Sequence, residues 1–271
     1  MAVEALTLSP KRDQSSAAIW WFAGLPSALA IFVLVTFVWN FRNHDISSVV
    51  EHWGQTGDFL GGILNPVLAF ASLLVVCYTL RVQIRHASET ARFTAIQRFE
   101  AFLFELLRLH SDTVASIDLH DAKNNRTTVG RDCFSAFVNW VRLNHGKDRN
   151  FPPTKESLVN AYNVFYERRK RKIEVGHYFR NLFHIFKYID SSELLTDEQR
   201  IQYAKLVRAQ LSVPETGLLF YNGLHPAGEG FRKYILKYTL LQELTADDLH
   251  IHGLSQDAMH GLYGIDAFVE K

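Results

Sequence analysis

The sequence predicts an all-α chain, with two N-terminal transmembrane helices followed by a helical cytosolic domain. Two uncharged runs, residues 17–41 and 59–80, each reach the roughly 20 apolar residues that cross a bilayer core. The remainder, 81–271, mixes charged and aromatic residues at helical spacing. Nowhere does a period-two alternation persist between turn signals, so no sheet is predicted.

Residues 1–16 form a short cytosolic N-terminus carrying Lys11 and Arg12. The first span, 17–41, has Trp20, Trp21 and Trp39 near its ends, where amphipathic rings favour the headgroup boundary, and Pro26 predicts a kink. A cleaved signal peptide is the rival reading. Against it, the run is longer than a signal core and no small-residue cleavage site follows before Arg42. Residues 42–58 form a short external loop, and the second span, 59–80, is stopped by Arg81 and Arg85. Basic residues cluster before the first span and after the second, which puts both termini inside. The alternative for the pair is a buried hairpin of a soluble protein.

Asp58, Gly61, Gly62 and Asn65 recur every three or four residues and form a polar, small-residue face on the second span. Such a face expects a protein neighbour: the first span around Gly24 and Ser27, or a second copy in a homo-oligomer. The lipid bilayer is thus the first expected partner.

In the soluble part, Phe93, Ile96, Phe99, Phe102, Leu103, Leu106, Leu107 and Leu109 continue a helical pattern without proline or glycine from Arg81 to about Leu119. A polar break at 121–130 precedes a helix over 134–143, and 144–153 is a loop. Thr154, Thr196 with Gln199, and Ser212 with Glu215 mark three further helix starts.

A net charge of +1 gives no bulk electrostatic argument for a nucleic-acid partner. Cys77 and Cys133 are the only cysteines, too few for a disulfide framework. His250, His252 and His260 complete no familiar ligand spacing, so neither metal nor cofactor is predicted. No phosphate-binding glycine loop, nucleophile elbow or His-Glu-x-x-His occurs, and no recognised catalytic motif supports an enzyme.

The distinctive segment is 176–190. Phe179, Leu182, Phe183, Phe186 and Ile189 make an apolar stripe, while His177, Arg180, His184 and Lys187 share the opposite face, with Asn181 beside them. Two imidazoles flanking a guanidinium suit phosphate binding or acid-base work. The structural alternative is hydrogen bonding to neighbouring helices, for example Arg180 to Glu215. A second polar set, Arg208, Gln210, Ser212, Glu215, Tyr221 and Asn222, lies downstream, and the two sets together outline a candidate polar cleft. The basic run from Arg168 to Lys172 suits lipid headgroups or RNA, or is a solvated helix surface.

Three segments carry a resemblance: Trp53-Gly54 with Thr56 to Pro66 (TGDFLGGILNP), Gly176 to His184 (GHYFRNLFH), and Arg208 to Ser212 with Leu219 to Gly223. They resemble the AbiC-like phage abortive infection family of two-span bacterial membrane proteins. The resemblance implies anti-phage defence at the bacterial inner membrane, ending growth of the infected cell before phage release. It implies no catalytic set. Three mechanisms stay open: a membrane effector or sensor, a helical ribonuclease-type toxin using Arg180 and His184, and a scaffold binding a phage component or signalling ligand. The arginine-histidine spacing of such nucleases is longer than the three intervening residues here.

Overall fold

The computed structural model describes residues 14–43, 45, 47–121, 126–145 and 153–269, and it divides into two compact units, Met1–Arg92 and Phe93–Lys271. The described chain is 79% helix and 3% strand.

The first unit holds α1 (Gln14–Phe41) and the beginning of α2 (Val50–Ala115). Both helices are continuous through their prolines, Pro26 and Pro66. Among the described residues, α2 is the helix long and apolar enough to cross a membrane. Its most apolar window has a mean hydropathy of 2.1 and is not buried. Of α1, the described apolar stretch is Pro26–Phe41. Helix begins at Val50, so residues 50–58 of the predicted loop are helical. Asp58, Gly62 and Asn65 are exposed, Gly61 is half-buried, and the Asn65 amide stands 3.6 Å from where a Gly61 side chain would begin. Phe37 and Phe59 stack at 6.3 Å.

The second unit starts within α2, whose Phe99, Leu103, His110 and Val114 are buried. Phe99 stacks on Tyr188 at 4.8 Å, and Tyr203 Oη donates to Glu100. The predicted polar break overlaps a two-stranded antiparallel pair, β1 (Asp118–Asp121) and β2 (Arg126–Val129). The all-helical expectation missed it because each strand has only four residues, too few for a period to show.

Helices α3 (Asp132–His145), α4 (Lys155–Tyr166), α5 (Arg169–Asp190), α6 (Asp197–Arg208) and α7 (Val213–Leu224) follow. Then come a 3-10 turn (Pro226–Gly228), α8 (Glu229–Lys237), α9 (Ala246–Leu249), α10 (Gln256–Tyr263) and a closing 3-10 turn (Ile265–Ala267). Thr154 caps α4 through the Ser157 N–H, and Thr196 caps α6 through the Gln199 N–H, as their spacing predicts. At α7 the Glu215 carboxyl accepts from Ser212 N at 2.8 Å and Ser212 Oγ at 2.6 Å.

Helix α7 is the axis of the core, with every residue from Glu215 to Leu224 buried. It packs on α3, α4, α8 and α9, while α5 packs on α4, α6 and α8. Close approach needs Gly223, where an added Cβ would stand 2.4 Å from Tyr263 Oη and 2.6 Å from Ile235 Cδ1.

Candidate functional site

Helix α5 is anchored by its apolar side. Tyr178, Phe179, Leu182, Ile185, Phe186 and Ile189 are buried, and Phe183 is half-buried. The opposite side is the predicted polar face. His177, Arg180, His184 and Lys187 are all exposed, and Asn181 is half-buried with Nδ2 at 3.5 Å from Thr113 Oγ1 of α2. Arg180 donates from Nε to the Gly176 carbonyl at 3.1 Å and does not meet Glu215.

The downstream set divides among separate tasks. Arg208 donates to the Thr239 carbonyl at 3.1 Å and to its hydroxyl at 3.0 Å, bracing a residue held at φ +47°. The Gln210 carbonyl accepts from Arg131 at 2.9 Å. Asn222 donates to Tyr162 Oη at 3.2 Å, and the Tyr221 ring stacks on Tyr162 at 6.3 Å.

Members of both sets meet in one groove of about 510 Å³. Its walls come from Tyr166 of α4, from Lys172, Gly176, Phe179, Arg180 and Phe183 of α5, and from Asn222 of α7. Ala227, Gly228, Gly230 and Phe231 close the far side. His177, His184 and Lys187 do not line it, and neither do Arg208, Gln210, Ser212, Glu215 or Tyr221. Among the described residues the lining carries two cations and no carboxyl group. Lys172 Nζ lies 5.6 Å from the centre of the Tyr166 ring and 3.3 Å from Glu167. Phe183 meets Phe231 edge to face at 6.0 Å. Gly228 is obligatory: a Cβ there would lie 2.0 Å from the Asn222 carbonyl oxygen. Of the basic run, Arg168 and Lys172 are exposed, while the side chains of 169–171 lie outside the described ones.

Sequence reasoning missed a second, buried polar cluster. His110 of α2 packs on the Tyr178 ring at 5.0 Å, and neither ring nitrogen has a partner among the described residues. Burial, reinforced by the Arg131 charge, lowers its pKa to about 4, so the imidazole is neutral near pH 7. Burial and the neighbouring Glu215 hold the Tyr178 phenol well above its ordinary range. Glu215 is 0% exposed and faces Arg131 Nε at 3.8 Å. Cys133 of α3, also buried, donates to the Thr128 carbonyl at 3.3 Å, and burial raises its thiol to about 11, which disfavours the thiolate. The only sequence signal was a histidine on the apolar stripe of α2.

Residues 170–249 match the family model described as "Putative phage abortive infection protein", and this supports an AbiC-like family assignment. No curated protein and no solved structure matches the chain. The matched segment runs from α5 to α9 and contains every groove-lining residue except Tyr166.

Proposed function

We propose that the chain is a membrane-anchored anti-phage protein of the abortive-infection type, working as a sensor or membrane effector through the groove beside Arg180. In this reading the segments 17–41 and 59–80 hold it in the bacterial inner membrane, with both termini in the cytoplasm. The observation that carries it is the coincidence of the family-matched segment, 170–249, with the residues that build the groove. The exposed apolar side chains of α2, among them Phe70, Leu73 and Val76, support the anchor, because leaving them in water costs about 25 cal/mol per Å² that a bilayer removes. The exposed Asp58 and Asn65 beside Gly61 and Gly62 leave α2 a polar, small-residue face for a second copy of the chain.

The ribonuclease reading draws less support. Arg180 lines this groove and His184 does not, so the groove does not offer one phosphate both side chains.

A phage challenge of cells expressing wild type, Arg180→Ala and Asn65→Leu at equal abundance tests the proposal. Arg180→Ala is expected to restore plaque formation to the level of unprotected cells while the protein stays in the membrane fraction. Asn65→Leu is expected to weaken protection without changing the unfolding of the second unit. Full protection by Arg180→Ala removes the groove from the mechanism. Recovery of the wild type in the soluble fraction removes the anchor.

A further inference from the structure

We infer that the groove is a binding site for a free nucleotide, with its phosphates at Lys172 and Arg180 and its base against the aromatic floor. This deepens, and rests on, the reading that the groove is the working site. Its volume of about 510 Å³ falls in the size class of small-molecule sites, roughly 300–1,000 Å³. The charge is one-sided, since the described lining offers two cations and no acid.

Arg180 uses only Nε, on the Gly176 carbonyl. Its terminal amino groups have no acceptor among the described residues, and a free guanidinium fork matches two oxygens of a phosphate. Lys172 is steadied over the Tyr166 ring, and its pairing with Glu167 is solvent-exposed, so that contact yields readily to a phosphate. Phe179, Phe183 and Phe231 supply the apolar side, with Phe183 half-buried and edge-on to Phe231. A flat base gains by stacking on such a surface, whichever base it is.

A nucleic-acid strand would need a succession of phosphate contacts along a basic track, and among the described residues the groove lining supplies two cations.

Gly176 provides a variant expected to fill the site. It sits inside α5 and lines the groove, and an added Cβ would meet only Tyr166 Oη at an ordinary 3.9 Å. Leucine is also a better helix former than glycine.

The test uses the full chain in detergent, with thermal unfolding and calorimetry against ATP, GTP, their mono- and diphosphates, adenosine, inorganic phosphate, a short single-stranded RNA and anionic lipid vesicles. At least one nucleotide is expected to bind and raise the unfolding temperature, with adenosine and phosphate each much weaker. Arg180→Gln and Gly176→Leu are expected to weaken that binding at least about tenfold, with the ligand-free unfolding temperature unchanged or raised. The inference is overturned if no nucleotide binds the folded wild type, if both variants bind it as the wild type does, or if only RNA or lipid binds. The same variants in a phage challenge separate the two levels. Lost protection with no nucleotide binding by the wild type overturns the nucleotide and keeps the groove, whereas full protection in both variants overturns the groove itself.

Discussion

At the scale of single residues, the buried neutral His110 ties stability to pH. Its pKa is about 4 in the folded chain against an ordinary 6.5. Between those values the unfolded chain takes up a proton that the folded chain refuses, so stability rises with pH across that window and is lost as pH falls from 6.5 to 4. The loss from this one group is on the order of 3 kcal/mol. Urea denaturation of the wild type and His110→Phe between pH 4 and 7 measures it. The variant keeps a ring against Tyr178 and is expected to show a flatter slope; equal slopes would remove His110 as the source. The cluster around His110 was illegible in the sequence for a definite reason. Arg131 meets Gln210 across 79 residues, and His110, Tyr178 and Glu215 come from three helices. By contrast, Arg180 could be read as surface-polar from its spacing alone. That reading placed it on a face with His177 and His184 but did not distinguish the one that enters a groove from the two that do not.

At the scale of elements, helix starts were legible because the physics is local. Thr154 and Thr196 cap through residues three positions away, and a side-chain oxygen needs nothing more distant to find an orphan N–H. The strand pair and the groove were not legible, since both depend on which segments meet. Two glycines express the difference. Gly228→Ala is expected to destabilise the second unit by about 2 kcal/mol or more, because the added methyl meets the Asn222 backbone carbonyl, which cannot turn aside. Gly176→Ala, in open contact within α5, is expected to stabilise by up to about 1 kcal/mol. Urea midpoints of the two variants decide it. Equal effects would mean that the close contact at Gly228 relaxes without cost.

At the scale of the whole molecule, the uneven distribution of charge along the chain predicts an apolar N-terminal part and a separate helical domain. The expected boundary at Arg81 falls before the division at Arg92 and Phe93 because α2 continues as helix from Val50 to Ala115. Helical periodicity cannot mark where an unbroken helix changes surroundings, but burial does: Phe93 is exposed, and Phe99 and Leu103 are the first residues of α2 in the core. A fragment of residues 93–271 therefore retains the buried side chains from Phe99 to Phe268 that make up the core, and it omits the apolar window of α2. It is expected to be recovered in the soluble fraction and to unfold in a single cooperative transition, while the full chain is recovered with membranes. Fractionation followed by circular dichroism checks both halves of the prediction. If the fragment is soluble but melts without cooperativity, the membrane-side residues contribute to its core. If the full chain is soluble as well, α2 has found cover other than lipid, and the polar, small-residue face at Asp58, Gly61, Gly62 and Asn65 becomes the place to look for it.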